Sequence, residues 1–548
     1  MTTINTIMHT YRNRVLTLFN LKEACNIGTI ELNTDTEKQQ FGDLNANTAL
    51  VLAKKLHQSP RDLAYTIQKS FSHPLIEKIE VVNPGFINLF LTQEAFHNIA
   101  QELLTHKSDY FKTKPQKKDT ISIEFVSANP TGPLHLGHGR GGIIGDVLGN
   151  ILLFQGHAVA KEYYINDAGA QIAKLGNSFQ MRCLQLLKKE IAFPEDGYHG
   201  VYLIELAQKC VAAYSESLLD KPHEFFENYA QKALLQIIQR TLSEYGIHFD
   251  VWFSEKSLHD KNLITQAITQ LSNHGYIYKK EGALWFQSTA FGDDKDRVIR
   301  KANGELTYFA SDVAYLIDKH MRGHHKLIII LGQDHHSYAV RLKGMHTALG
   351  YKSENLAIIL YQLVTIKENG EQLRMSKRAG TFVTLKEIID TVGKDVARFF
   401  YLHRKADAHL DFDIELALKK TEENPVYYVQ YAFVRTHSIL KKAQSHFNTT
   451  TTDYIVTLSY NNMERLLIKK IAALKTILHT ISVTHQTHIL TYYALELAQL
   501  FHAYYAQNKI IDIDDKKTST LRLHLVHIIH DTFALCLDLL GISKPTHM

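Results

Sequence analysis

The sequence predicts an α/β fold: a doubly wound, Rossmann-like nucleotide-binding domain, with an α+β domain before it and an all-α domain after it. Three observations predict this. Ile121, Ile123 and Phe125 alternate with Ser122, Glu124 and Val126 as in a strand, and the chain then drops through a loop, Ser127 to Pro133, into a helical pattern near His138. Leu327, Ile328, Ile329, Ile330 and Leu331 form the continuous apolar run of a parallel strand covered on both faces. Further on, Met463, Leu467, Ile471, Leu474 and Leu478 keep helical spacing, and Asn424-Pro425 makes a helix start.

In chain order, residues 1–115 combine a helical pattern, Asn47 to Leu56, with short strands at Ile79 to Val82 and Phe86 to Leu91. The Lys-rich stretch 111–119 reads as a linker. Residues 116–390 alternate strand and helix patterns, with strands expected at 121–126, 158–164 and 326–331. A sheet of this kind binds its ligand at the carboxyl ends of its strands. A long helical insertion is expected over about 170–280, where GVYLIELAQKCVAAY and HEFFENYAQKALLQIIQRTL are regular. Residues 391–424 connect to the helical region 425–548, which holds 12 Lys/Arg against 8 Asp/Glu. Tyr427, Tyr428, Tyr431, Tyr504 and Tyr505 lie among those cations, a composition suited to unstacked bases.

Composition narrows the class. At 548 residues, 45% hydrophobic and 21% charged, the chain reads as a soluble protein of several domains. A net charge of +5 permits an RNA partner without demanding one. Cys25, Cys183, Cys210 and Cys536 are far apart with no CxxC, so neither a disulfide framework nor a structural zinc is expected, and a reducing cytoplasm is. No signal pattern and no apolar run of about 20 residues suggests a membrane.

The chemistry concentrates in two places. A helix N-terminus offers unpaired N–H groups to an anion, and His135 and His138 stand beside one, with Gly137, Gly139, Gly141, Gly142 and Gly145 around them to let backbone approach a ligand. The His-Leu-Gly-His spacing is not a zinc pattern and suits phosphate contacts. Some 240 residues on, Arg374-Met375-Ser376-Lys377-Arg378-Ala379-Gly380-Thr381 is a basic loop that can bring Lys377 onto phosphates. Attack of a carboxylate on an α-phosphate builds negative charge that such fixed donors stabilise.

These segments carry a resemblance. His135-Leu136-Gly137-His138 resembles the HIGH signature of class I aminoacyl-tRNA synthetases, and Arg374-Met375-Ser376-Lys377-Arg378 resembles their KMSKS loop. SANPTGPLHLGHGR, YYINDAG, DKDRV, TYFASDVAY and GQDHH, in that order, are similar to the arginyl-tRNA synthetase family, and the likeness runs from Phe41-Gly42-Asp43 to the final LDLLGISKPTHM. It implies an enzyme that activates L-arginine with Mg2+-bound ATP and transfers it to tRNA(Arg). The phosphate-stabilising residues would be His135, His138 and Lys377, with Gly137, Gly139, His335, Met375 and Ser376 also contacting ATP. The resemblance further implies an N-terminal domain that contacts the outer corner of the tRNA, an insertion that faces its acceptor end, and an anticodon-binding C-terminal bundle. The loop departs from the usual pattern, with Arg374 in place of the first lysine and Arg378 in place of the final serine, but it retains the second lysine as Lys377.

A guanidinium, planar and always charged, needs carboxylates and phenolic oxygens in fixed positions. Glu124 and Asp312 are candidates from two strand ends, and Tyr308 lies four residues before Asp312, on the same side of a helical turn. In the family, positions matching Glu124, Tyr308 and Asp312 grip the guanidinium and stem of arginine, and those matching Ser127, Asn129 and Gln333 hold the α-amino end. Tyr163, Tyr164, Asn166 and Asp167 are expected near the same pocket. His335 and His336 diverge too much to bind a metal together. Two rival readings are a synthetase for glutamate, glutamine or cysteine, and an RNA-binding relative without catalysis. The paired carboxylates oppose the first, and the intact HxGH with Lys377 opposes the second. A monomer is expected.

Overall fold

The computed structural model describes residues 2–113, 118–167, 169–368, 371–372, 383–447 and 458–548. Near the N-terminus, β1 (Ile30–Leu32), β2 (Leu44–Ala46), β3 (Ile76–Val82) and β4 (Phe86–Leu91) form an antiparallel sheet in the order β1-β2-β4-β3. Then come β5 (Thr120–Glu124), β6 (Ala158–Ile165) and β7 (Val251–Ser254). β8 (Ile277–Lys280), β9 (Ala283–Phe286) and β10 (Arg297–Arg300) make a small antiparallel sheet of their own. β11 (Lys326–Gly332) and β12 (Leu356–Tyr361) complete a parallel sheet in the order β12-β11-β5-β6-β7. β13 (Val364–Glu368), β14 (Glu371–Gln372) and β15 (Leu410–Asp413) form a third small sheet beside it.

The apolar run in β11 behaves as a doubly covered strand should. Ile328 and Ile330 enter one hydrophobic cluster, with the helix Leu136–Phe154, while Leu327 and Ile329 enter another, with the helix Tyr308–Met321. The helix Leu136–Phe154 lies against the sheet because of its glycines. A Cβ on Gly145 would fall 2.3 Å from the Phe125 ring, on Gly141 2.6 Å from Tyr361, and on Gly139 2.6 Å from Leu385. At each of these positions packing against a neighbouring side chain leaves no room for a Cβ.

The stretch 170–280 is not helical throughout. Helices Ala170–Leu186, Val201–Tyr214 and His223–Glu244 pack around Phe179, Phe226 and Leu234. Val251–Ser254 then pairs in parallel with β6 as the edge of the main sheet. Four residues are too few to display an alternation, so this strand was hidden between helical patterns.

The C-terminal region is a bundle of helices Pro425–Ala443, Asn462–Thr484, His488–Gln507 and Lys516–Leu540. Asn424 caps the first by accepting from the Val426 N–H at 3.1 Å, with Pro425 in the first turn. Lys516–Leu540 is long and apolar enough to cross a membrane, but most of it is buried in the bundle. Tyr504 is fully buried and donates to Glu464 at 3.0 Å, so it is a packing residue and not a face for a base.

Two buried ionic links tie the regions together. Lys469, almost completely buried, bonds Asp43 at 2.8 Å, and the same carboxylate accepts from the Leu91 N–H. Asp43 of the FGD segment is therefore spent on joining the N-terminal domain to the bundle rather than on a surface contact. Arg398, also fully buried, pairs with Asp146 of the Leu136–Phe154 helix and donates to the carbonyls of Tyr245 (3.0 Å) and Leu540 (2.9 Å). Asp146 also takes Lys161 at 2.5 Å. Burial would raise the Asp146 carboxyl, but Arg398 and Lys161 hold it below the usual carboxylate range.

Candidate active site

At the carboxyl end of β5 the chain turns sharply. Val126 (φ 67°) and Ser127 (φ 39°) both take left-handed backbone, a costly choice for a β-branched valine, and strain of this kind marks functional turns. The turn is held from outside: Ser127 Oγ accepts from the Tyr164 N–H at 3.1 Å, and the Tyr163 hydroxyl donates to the Ala128 carbonyl at 2.7 Å. Tyr163 is thus a fully buried support, and Asp167 serves a similar end by accepting from the Lys256 N–H at 3.0 Å. Tyr164 and Asn166 do reach the cavity.

The loop delivers His135 as the N-cap of the helix Leu136–Phe154. His135 Nδ1 accepts from the Gly137 N–H at 3.1 Å, and His138 Nδ1 accepts from the His135 N–H at 3.2 Å. The rings stack with centroids 3.6 Å apart. A neutral ring whose Nδ1 accepts carries its proton on Nε2, so each imidazole is set as an Nε2–H donor. Both rings line the cavity, while Gly137 packs its backbone on the His135 ring.

That cavity, about 560 Å³, opens at the carboxyl ends of β5, β6 and β11. Four carboxylates line it: Glu124 from β5, Asp312 from the helix Tyr308–Met321, Glu255, which follows β7 directly, and Asp334 in the turn after β11; the first three lie together. Asp312 therefore lies on a helix and not at a strand end, and Tyr308 one turn earlier lines the same space. One Glu124 oxygen is held at 2.6 Å by Lys319, whose side chain is fully buried. Burial pushes the Asp312 carboxyl up to about 7, against a hydrogen bond from Tyr338, and the charges of Glu255 and Glu124 add to the rise. Burial also raises Glu255, which accepts from Ser311 and Tyr164. Three acids crowded together, two of them raised, make a site that gains from a buried cation.

Ser127 and Asn129 line the cavity as expected, and Asn129 Nδ2 donates to Gln171 Oε1 at 2.8 Å. Gln333 opens the turn after β11 and does not line the cavity, whereas His335 does and lies 3.7 Å from Asp334. Sequence reading missed Glu255, Lys319 and Tyr338. Glu255 stands just past the end of β7, much as Glu124 ends β5, but the short strand before it carries no sequence signal.

Met375, Ser376 and Lys377, with Arg374 and Arg378, lie outside the described residues. Their C-terminal anchor is described. The Leu136 N–H bonds the Val383 carbonyl at 3.3 Å, and the Leu385 N–H bonds the Leu134 carbonyl at 2.8 Å. The segment that follows the basic loop is thereby fastened to the start of the HLGH helix.

Comparison with known proteins agrees in every region. Residues 19–91 match the family described as arginyl tRNA synthetase N terminal domain, 99–407 the class I (R) tRNA synthetase catalytic domain, and 429–548 the DALR anticodon binding domain. Arginine–tRNA ligase of Desulfitobacterium hafniense (strain DSM 10664 / DCB-2) is 41% identical over 523 residues, 94% of this chain and 93% of that protein. Its counterpart in Moorella thermoacetica is 42% identical over 515 residues, 92% of each. The fold is shared with arginyl-tRNA synthetase of Thermus thermophilus, with a TM-score of 0.76 at 20% identity over 98% of this chain and 100% of that one. The Plasmodium falciparum arginyl-tRNA synthetase also gives 0.76, at 17% identity with both chains fully covered.

Proposed function

This chain belongs to the arginyl-tRNA synthetase family and charges tRNA with arginine using ATP, and we propose that the cavity described above divides the work between its two ends. The guanidinium lies among Asp312, Glu255 and Glu124, with Tyr308 along the stem. Ser127, Asn129 and Gln333 hold the α-amino end, and binding brings Gln333 to its partner. The triphosphate, with its Mg2+, lies over the N-terminus of the Leu136–Phe154 helix beside His135, His138 and His335. Lys377, with Met375 and Ser376 beside it, closes on the phosphates.

An arginine carboxylate oxygen attacks the α-phosphorus, the bond to the bridging oxygen breaks, and pyrophosphate leaves. A ribose hydroxyl of the terminal adenosine then attacks the carbonyl carbon of the mixed anhydride. Its proton is lost, the ester forms and AMP departs. No side-chain nucleophile takes part, so catalysis is positioning and electrostatics. The charge on Lys377 and the two Nε2–H donors act where negative charge grows.

The observation that carries this assignment is the meeting of three carboxylates beside a capped helix N-terminus in one cavity. Amino-acid-dependent ATP–pyrophosphate exchange, with and without tRNA, tests it. Arginine should support exchange and citrulline, the same shape without the charge, should not. Comparable exchange with citrulline would show that the acids do not select the cation.

The rest of the tRNA contacts follow the same reading. Arg435 lies 4.5 Å from the Tyr431 ring centroid and 4.7 Å from that of Tyr505, beside a basin of about 600 Å³ that Lys442 and Lys509 also line. This is a place for anticodon bases in the anticodon-binding bundle. The N-terminal domain contacts the outer corner of the tRNA, and the enzyme acts as a cytoplasmic monomer.

A further inference from the structure

The face of the helix Tyr308–Met321 that looks into the cavity continues beneath it. Tyr308, Asp312 and Tyr315 line the cavity, and Lys319 follows at the same spacing of three or four residues, on the same side of the helix. Lys319 itself is not among the lining residues. Its side chain is fully buried, and an ammonium in such a place has to be paired. Two groups hold it: Glu124 Oε2 at 2.6 Å, and the face of the Tyr315 ring, whose centroid lies 4.3 Å from Nζ.

The ammonium serves two carboxylates. Register pairs Glu124 on β5 with Glu162 on β6, so both side chains leave the sheet on the same side. Glu162 is fully buried and accepts from both terminal nitrogens of Arg322, at 2.8 and 2.9 Å, from Ser122 Oγ at 3.3 Å and from the Tyr315 hydroxyl. Arg322 Nε donates in turn to Asp318 at 2.6 Å. Burial would raise the Glu162 carboxyl, but Lys319 and Arg322 hold it below the usual carboxylate range. The two acids differ in their other support. Glu162 has three further donors, whereas among the described residues the Glu124 carboxylate has Lys319 alone.

Without Lys319, Glu124 and Glu162 would stand side by side with Arg322 as their common counter-charge. Like carboxylates so placed relax by turning apart or by one of them taking a proton. Either change withdraws a fixed negative oxygen from the cavity. We propose that Lys319 is a positioning residue for arginine: by fixing Oε2 and supplying the counter-charge, it holds Glu124 Oε1 ready for the guanidinium. Lys319 acts entirely through Glu124 and does not touch the substrate. The proposal rests on the reading that places the guanidinium at Glu124.

Arginine-dependent ATP–pyrophosphate exchange by the full-length protein, with tRNA present, tests it. Lys319→Met keeps the bulk and removes the charge. It should raise the KM for arginine about tenfold or more, the scale of a broken buried charge pair, and leave kcat and the KM for ATP unchanged. A rise in the KM for ATP as large as that for arginine would mark general damage and overturn the proposal. An unchanged KM for arginine overturns it as well, where Glu124→Gln does raise that KM. If Glu124→Gln leaves it unchanged too, the placement of the guanidinium at Glu124 falls, and the proposal with it. The combined variant asks whether Lys319 works through Glu124. In Glu124→Gln the ammonium stands near the guanidinium without its partner, so adding Lys319→Met should leave the KM for arginine equal or lower it. A further rise overturns the proposal. This arm does not need Lys319→Met to fold by itself, because loss of a whole pair is tolerated better than a lone buried charge.

Discussion

The two ends of the cavity solve opposite electrostatic problems. The amino-acid end is a crowd of like charges, Glu124, Glu255 and Asp312, of which Lys319 neutralises only one. The end proposed for the phosphates presents, within the described residues, a helix N-terminus and two imidazoles locked as donors by their own backbone, with Asp334 beside His335 at its edge. The first end is unfavourable while empty and is relieved by a cation. The second has its donors already oriented, and in the proposed reading the strong charge comes from a separate loop. Selectivity is thereby assigned to one end and rate to the other.

The largest effect should come from removing the loop's charge. Lys377→Ala should lower arginine-dependent ATP–pyrophosphate exchange by about 10²- to 10³-fold, the scale of one lost transition-state donor, with little change in the KM for arginine. Near-normal exchange would break the division between the ends. Asp312→Asn comes next and should act on the opposite parameter, raising the KM for arginine about 10²-fold as one partner of a buried charge pair is lost.

The same residue fixes a pH dependence. In the empty site Asp312 titrates near pH 7, below which it is protonated, and a guanidinium needs it ionised. Arginine affinity should therefore weaken as pH falls through 7, by up to about tenfold per unit, and Asp312→Asn should flatten that slope in a series of KM measurements from pH 6 to 8. The smallest change is expected for Glu255→Gln, which keeps shape and hydrogen bonding. A rise of about tenfold in the KM for arginine, with kcat preserved, would make Glu255 a partner of the cation, and no rise would reduce it to a support for Tyr164.

The phosphate end was far more legible in the sequence than the acid end. One continuous segment, Glu124 to Asp146, supplies a strand, a turn and a capped helix, so local pattern and local geometry coincide. The acid end is assembled from β5, the residue after β7, and the helix Tyr308–Met321, and only folding brings these together. Glu124 and Asp312 could be inferred because family motifs surround them. Glu255 could not, since the four residues of β7 show no pattern of their own. The glycines from Gly139 to Gly145 read as room for a ligand, but Gly139, Gly141 and Gly145 pack against Leu385, Tyr361 and Phe125. For Asp43 no local pattern announces its partner, a lysine from the distant bundle.

Arg398 has a bearing on how the enzyme is made. Its partners lie 252 residues before it, at Asp146, and 142 residues after it, at Leu540. While the chain is being synthesised, the central sheet and the capped helix can form long before Leu540 emerges, yet until then the Nε–H of a guanidinium destined for complete burial lacks its acceptor. The helix that carries HLGH is thus finished from behind by the end of the anticodon-binding bundle. A nascent chain without that bundle would hold both histidines of HLGH but on a helix whose rear support is incomplete.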